Sequence, residues 1–172
     1  MKRFLKVIIP IVIIGLLGFM TYKVITKINH KREVAEHIKT IPPFSYSTIN
    51  GKIFTHEDLK DNTPTLFLYF NSECEHCQSE ASQIQENITN FKNVQLVFVS
   101  FEEQNKIIAF AKKYKLNSYD NITFLLDKQV SFSTTFDVNS LPTMILYNKN
   151  KELIEKIKGQ TKVETILKKL KQ

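Results

Sequence analysis

The sequence predicts an α/β fold in which a mixed central sheet is covered by helices on both faces and is preceded by one apolar N-terminal helix. In the middle of the chain, short apolar runs of strand length alternate with amphipathic segments of helix length. Two further strand-like runs flank the polar residues 148–151, which predicts a hairpin. Residues 7–22 contain no charged side chain, which sets the N-terminal segment apart from the rest.

The body of the chain is predicted to form a regular series of strands and helices. A short edge strand is predicted at 44–49, followed by an Asn50-Gly51 turn and a second short strand at 52–54. Thr55 precedes Asp58 by three residues, a capping-box spacing that predicts a helical turn. We expect parallel pairs from the helical crossovers and an antiparallel pair from the final hairpin. The later elements are strand 65–71, helix 75–90, strand 94–100, helix 107–114, strand 123–126, helix 130–136, strands 143–147 and 153–157, and helix 163–170.

The positive charge of the chain is concentrated at its two ends. The formal net charge is +7, but residues 41–148 hold 8 basic and 12 acidic side chains. Residues 1–40 hold 8 basic and 2 acidic side chains, and residues 149–172 hold 8 and 3. A nucleic-acid partner would favour one contiguous basic face, so this distribution predicts no nucleic-acid partner.

The apolar segment near the N-terminus has nearly the length of a membrane span. Residues 7–22 would extend roughly 24 Å as a helix. Apolar neighbours on both sides bring it close to the ~30 Å hydrocarbon core if Lys6 and Lys23 extend outward. We therefore predict a transmembrane signal-anchor with a short cytoplasmic tail at 1–25, a juxtamembrane linker at 26–41 and a folded domain at 42–172.

Two other interpretations of this segment stay open. A cleaved signal peptide would need a small-x-small cleavage site, and residues 18–26 contain none resembling Ala-x-Ala. A buried core helix would more often have a polar face. Because basic residues flank both sides, the positive-inside rule barely selects an orientation. A short tail before an apolar run is typical of an export signal, which places the domain outside the cytoplasm.

The two cysteines of the chain stand in one tetrapeptide, Cys74-Glu75-His76-Cys77. It lies where a buried strand is predicted to turn into a helix, so Cys74 would meet the unpaired N–H groups and the dipole that stabilise a thiolate. Cys77 falls on the apolar stripe of the helix and would be shielded. This pattern predicts thiol–disulfide exchange, with Cys74 attacking and Cys77 resolving the mixed disulfide.

Other roles of a C-x-x-C pair fit this sequence less well. Half of a metal site would need further ligands, but there is no other cysteine, and His30, His37 and His56 all lie upstream. A structural disulfide across one helical turn would close too short a loop to stabilise the fold much. We therefore predict no metal and no cofactor.

These features together resemble the thioredoxin fold and, within it, the membrane-anchored TlpA/ResA-like thiol–disulfide oxidoreductases. The general resemblance rests on strand 65–71, on the C-x-x-C that opens a helix, and on Leu141-Pro142-Thr143 before a strand. The closer resemblance covers about residues 42–170 and rests on the anchor, Pro42-Pro43-Phe44, Asn50-Gly51-Lys52 with Phe54 and Leu59, Cys-Glu-x-Cys, and Glu80.

The resemblance implies roles for residues outside the cysteine pair. It implies that Pro142 is a cis-proline opposite the cysteines, which shapes a substrate groove with Leu141 and Thr143 and keeps metals from the thiols. It also implies that Glu80 is a partly buried acid–base that exchanges a proton with Cys77. The alternatives are a plain loop proline at 142 and a solvated helix carboxylate at 80.

The sequence departs from the family pattern on both sides of the first cysteine. Glu73 stands where the family usually has tryptophan, and His76 where it often has proline. Glu73 and Glu75 disfavour a thiolate at Cys74 by like charge, whereas a protonated His76 favours it. Glu75 and His76 are therefore predicted to tune the redox chemistry.

The resemblance implies a reductase that acts on disulfides of exported proteins, including apocytochrome c during haem attachment. Its location would be the bacterial inner membrane as a single-pass protein with the domain in the periplasm, where a membrane or periplasmic partner supplies electrons. Two alternatives stay open: a redox-inert binding, adaptor or metal-carrier protein, and a thiol peroxidase. The peroxidase is weakened by Asn71, three residues before Cys74, where a hydroxyl group would be needed.

Overall fold

A computed structural model describes the backbone of residues 2–171 and the side chains of residues 15–171. The chain divides into two compact units, at Met1–His37 and Ile38–Gln172. The first contains one long helix, α1 (Lys2–His37). The N-terminal part of the predicted anchor at 1–25 lies outside the described side chains. Among the described residues, no helix combines the length and apolar character needed to cross a membrane.

The second unit holds seven strands and four helices within the described residues. Its first residue, Ile38, is buried and its carbonyl oxygen accepts a hydrogen bond from the Tyr147 hydroxyl at 2.9 Å, so the unit begins before residue 42. The elements are β1 (Ser45–Thr48), β2 (Ile53–Thr55), β3 (Thr65–Tyr69), α2 (Glu75–Glu86), β4 (Gln95–Ser100), α3 (Gln104–Lys113), β5 (Ile122–Leu126), α4 (Ser131–Thr135), β6 (Thr143–Tyr147), β7 (Leu153–Lys158) and α5 (Val163–Leu170).

The seven strands form one mixed sheet in the order β2-β1-β5-β4-β3-β6-β7. Strands β3, β4 and β5 are parallel, as expected from their helical crossovers, and the β6–β7 hairpin is antiparallel. Two expectations need correction. Strand β1 does not lie at the edge, because it pairs with both β2 and β5. Antiparallel pairing also extends beyond the final hairpin, to β1–β2, β1–β5 and β3–β6.

Helices cover both faces of this sheet. Side chains alternate between the faces along a strand, so Leu66 and Leu68 of β3 face one side and Phe67 and Tyr69 the other. The first face packs against buried residues of α2, α3 and α5 in one apolar cluster. On the second face, Phe67 and Tyr69 both pack against the ring of Phe132 in α4, and Tyr69 stacks on it at a centroid distance of 5.3 Å. The predicted two-sided α/β architecture is confirmed.

Local capping signals explain two element boundaries. The predicted capping box is present: Thr55 and Asp58 bond reciprocally around a single 3-10 turn, His56–Asp58. The helix predicted at 75–90 ends earlier, at Glu86. The Asn87 side chain donates to the Gln83 carbonyl at 2.9 Å, so it competes with continuation of the helix, and a 3-10 turn follows.

Candidate active site

Cys74 lies at the N-terminal end of α2, at the point where the chain leaves the central strand β3. It is the N-cap residue, with extended backbone angles and no side-chain capping bond. Its backbone N–H donates to the Asn71 carbonyl at 3.3 Å, and its side chain is partly exposed. The Sγ atom donates to the Leu141 carbonyl oxygen at 3.9 Å. Cys74 is therefore reachable from solvent and lies beside the backbone N–H groups of the first turn of α2, which have no partner within the helix.

Cys77 lies one turn further along α2 and is completely buried. Both cysteines are free thiols. Burial is the main cause that raises the pKa of the Cys77 thiol to about 12, and the nearby Cys74 and the charge of Glu102 act in the same direction. A hydrogen bond with the Asn71 backbone opposes this effect. The two thiols therefore differ in exposure, and Cys77 stays protonated at neutral pH in the dithiol state.

The segment Leu141-Pro142-Thr143 lies opposite Cys74. Thr143 of β6 is the register partner of Tyr69 at the end of β3, which brings the start of β6 beside the cysteine loop. The Leu141–Pro142 peptide bond is cis, as the resemblance implied. Pro142 and Thr143 are buried and Leu141 is half-buried. The Leu141 carbonyl and the partly exposed Cys74 thiol thus face each other.

An apolar cavity of about 400 Å³ adjoins Leu141. Its lining includes Tyr69 of β3 and two exposed apolar residues, Phe101 and Val130. Val130 adopts a φ of 56°, an uncommon conformation for a β-branched residue. The cavity therefore places an apolar surface beside Leu141, whose carbonyl oxygen faces the Cys74 thiol.

Glu80 is fully buried rather than solvated on the helix surface. One carboxylate oxygen, Oε2, accepts a hydrogen bond from the Thr161 N–H at 3.1 Å, while Oε1 is buried without a partner. Burial raises the pKa of Glu80 to about 7, although the Thr161 hydrogen bond acts in the opposite direction. Residues three apart are neighbours on one helix face, so this carboxyl lies on the same face of α2 as Cys77.

Glu75 and His76, between the two cysteines, are both exposed. The His76 Nδ1 atom lies 3.4 Å from Oε1 of Gln160, and the Gln160 Nε2 donates to the Ser79 hydroxyl at 2.7 Å. Gln160 therefore connects the exposed side of α2 with the loop after β7.

Glu73 is fully exposed and pairs with Lys106 of α3 at 2.6 Å, and this hydrogen bond lowers the pKa of Glu73. The sequence predicts that the negative charge of Glu73 disfavours a thiolate at Cys74. The positive charge of Lys106, 33 residues away in the chain, partly offsets this charge.

Glu102 is a site residue that the sequence reasoning missed. It follows β4 and is only 8% exposed, with its carboxylate bonded to Ser72 of the cysteine loop. The signal that could have found it is the acidic pair Glu102-Glu103, which begins two residues after the end of a buried strand. In a parallel sheet the carboxyl ends of neighbouring strands lie side by side, and binding sites form just beyond these ends.

Among the described residues, no group of three or more His, Cys, Asp or Glu side chains is arranged to hold a metal ion. The Asn71 side chain, which replaces the hydroxyl expected of a peroxidase, is engaged locally: its Oδ1 accepts from the Glu73 N–H at 2.8 Å.

Comparison with known proteins identifies the family of the chain and several relatives. A sequence model of the AhpC/TSA family matches residues 38–156. The thiol–disulfide oxidoreductase ResA of Bacillus cereus is 28% identical over 165 residues, which cover 94% of this chain and 90% of the relative. A thioredoxin-like protein of Haemophilus influenzae is 28% identical over 140 residues, covering 80% of each chain.

Solved structures show the same fold. StoA of Bacillus subtilis superimposes with a TM-score of 0.60 at 21% identity, over 76% of this chain and 98% of StoA. DsbF of MTB, in mixed oxidized and reduced forms, gives a TM-score of 0.66 at 20% identity, over 78% of this chain and 95% of DsbF. The second unit therefore has a thioredoxin-like fold.

Proposed function

Because the chain belongs to the AhpC/TSA family of thioredoxin-like proteins and is a thiol–disulfide oxidoreductase, we propose that its redox centre is the pair Cys74 and Cys77. The observation that carries this proposal is the difference between the two thiols. Cys74 is partly exposed at the N-terminus of α2, and Cys77 is fully buried one turn away. Nucleophilic attack needs access and a stabilised thiolate, whereas resolution needs only a second thiol within reach.

The reaction follows from these positions. The Cys74 thiolate attacks one sulfur of a substrate disulfide, the other substrate sulfur leaves as a thiolate, and a mixed disulfide forms. Cys77 then loses its proton and attacks Cys74 Sγ, which releases the second substrate thiol and leaves a Cys74–Cys77 disulfide. Two electrons pass from the protein to the substrate, and a thiol donor must reduce the pair again.

We assign Glu80 as the base that accepts the proton of the Cys77 thiol. The thiol of Cys77, with a pKa near 12, needs a base before it can attack. Glu80 is buried on the same helix face and has a pKa near 7, so both of its protonation states are populated at neutral pH. Its Oε1 atom is buried without a hydrogen-bond partner.

Trapping tests the roles of the two cysteines. Cys77→Ser should accumulate mixed disulfides through Cys74, because the resolving thiol is missing. The matched control is Cys74→Ser, which keeps the buried thiol and should capture nothing. A Cys77→Ser protein that captures no partner, while metal co-purifies with the wild type, would favour the binding or metal-carrier alternative instead.

We extend the proposal to location and direction. The uncharged segment 7–22 supports a single-pass anchor in the bacterial inner membrane with the domain in the periplasm. A reductase at that site would act on disulfides of exported proteins, held along Leu141, Pro142 and Thr143, and would draw electrons from a membrane or periplasmic partner. Apocytochrome c fits this class, because its haem-attachment motif C-x-x-C-H can form a disulfide.

Two measurements test these extensions. If the segment anchors the protein, the full chain should stay in the membrane fraction after alkaline carbonate washing, and protease added outside the inner membrane should degrade the domain. If the protein is a reductase of this class, its dithiol form should reduce an oxidised C-x-x-C-H peptide faster than a peptide whose disulfide closes a longer loop. Equal rates would contradict the apocytochrome assignment.

A further inference from the structure

Every polar group of Ser72, two residues before Cys74, makes a hydrogen bond, either with Glu102 or with α2. Its backbone N–H donates to Glu102 Oε2 at 2.6 Å, and its hydroxyl donates to Glu102 Oε1 at 2.8 Å. Its carbonyl oxygen accepts from the Gln78 side chain of α2 at 2.8 Å. The loop between β3 and α2 is therefore held from both sides at this residue.

Glu102 is well placed to act as the fixed partner. It lies two residues after the end of β4, which runs parallel to β3, so the two strands end side by side. The carboxylate is almost completely buried, and the Ser100 hydroxyl gives it a third hydrogen bond at 3.3 Å. A buried carboxylate is stabilised only when such donors surround it, and a charge-assisted bond to a backbone N–H is stronger than a neutral one.

The bonds around Ser72 continue to the cysteine. Asn71, the residue before Ser72, accepts from the Cys74 N–H through its carbonyl and from the Glu73 N–H through its side chain. A shift of Ser72 would therefore move the turn that sets Cys74 at the N-cap position of α2. Reaction rates at such a position are sensitive to displacements of about 1 Å.

We propose that Glu102 is a positioning residue of the redox site: by accepting both donors of Ser72, its carboxylate holds the loop that sets Cys74 at the N-terminus of α2. This inference rests on the proposed role of Cys74 as the nucleophile. It assigns Glu102 no contact with substrate and no proton transfer.

Geometry and charge can be separated with a matched pair of variants. Glu102→Gln removes the charge but can still accept from the Ser72 N–H and bond to its hydroxyl, whereas Glu102→Ala removes the charge and both bonds. The measurement is the rate of alkylation of Cys74 by iodoacetamide at about pH 7, in the full chain carrying Cys77→Ser. Melting temperatures and circular dichroism establish that each variant is folded.

We expect Glu102→Ala to react about 10-fold more slowly than Glu102→Gln, because Cys74 no longer stays at the helix terminus. Glu103→Ala is the control, since Glu103 is exposed and makes no capping bond, and it should react at the rate of the parent. Equal rates for Glu102→Ala and Glu102→Gln would overturn the inference.

If Glu102→Ala does not fold, Ser72→Ala decides the question. It removes only the hydroxyl bond and should slow alkylation about 3-fold relative to Glu103→Ala, whereas an unchanged rate would overturn the inference. Alkylation needs no protein substrate. A wild-type chain that fails to exchange disulfides would therefore count against the proposed function, while this comparison would still decide the role of Glu102.

Discussion

At the scale of single residues, the candidate site contains two buried groups whose pKa values are raised, Cys77 and Glu80. The two raised pKa values have the same cause, because the face of α2 that covers the sheet is completely buried. Burial disfavours the charged form of either group, so the thiol and the carboxyl both keep their protons to higher pH than in water.

Burial of Glu80 makes the stability of the fold depend on pH. In the unfolded chain this carboxyl ionises near 4.5, and in the folded protein near 7. Between these pH values the folded state holds the extra proton, so raising the pH through this window lowers the free energy of unfolding, by about 3 kcal/mol at most. Glu80→Gln cannot ionise and should gain stability over the wild type as the pH rises from about 5 to about 8.

Urea unfolding of both proteins at several pH values measures this difference. Glu86→Gln, on the exposed face of the same helix, is the control and should follow the wild type. A wild type and a Glu80→Gln variant whose stability difference does not change with pH would contradict the raised pKa of Glu80.

The two thiols should also differ in chemical reactivity. Iodoacetamide should modify Cys74 in the reduced, folded chain at about pH 8 and leave Cys77 unmodified, since the latter is buried and protonated. Peptide mass analysis after a short reaction measures both positions. Adding urea should make both cysteines react alike, and comparable labelling without urea would show that Cys77 is accessible.

At the scale of elements, a third buried carboxylate, that of Asp127, organises the other face of the sheet. Asp127 follows β5, and its Oδ1 accepts from the Ser131 N–H at 2.8 Å. Its Oδ2 accepts from the Phe132 N–H at 3.0 Å and from the Tyr69 hydroxyl at 3.3 Å. Asp127 thereby fixes the start of α4, which precedes the loop that leads to the cis-proline.

Asp127→Ala should destabilise the protein by about 3 kcal/mol, because it leaves buried donors of α4 and of Tyr69 without a partner. Chemical denaturation of the full chain measures this loss. Asp120→Ala, at an exposed position near the other end of β5, should cost less than about 0.5 kcal/mol. Equal stability of the two variants would show that the Asp127 bonds contribute nothing net.

The elements differ in how much of them the sequence could predict. The central strands, α2 and α5 follow from local patterns of apolar residues, and Thr55 with Asp58 is a local capping signal. The attachment of β1 to β5 is not local, since the two strands are far apart in the chain. Glu102 was missed for the same reason: its partner Ser72 is 30 residues away, and only the parallel pairing of β3 and β4 brings them together.

At the scale of the whole molecule, the residues of the candidate site lie together at one end of the strands in the sheet of the second unit. The cysteine loop follows β3, Glu102 follows β4, the cis-proline precedes β6, and Thr161 follows β7. The sequence predicted the cysteines and Pro142 because short motifs mark them. The full burial of Glu80 depends on the loop after β7, which no local pattern predicts.

The central claim is that Cys74 and Cys77 form a reversible two-electron redox pair. It is tested most directly by equilibrating the full chain with mixtures of reduced and oxidised dithiothreitol and measuring the fraction of intramolecular disulfide by thiol labelling and mass. We expect one two-electron transition, at a potential at or below the glutathione range for a reductase, and none in Cys74→Ser. Two thiols that stay free across the whole range would contradict the claim, and a potential well above that range would contradict the reductase direction.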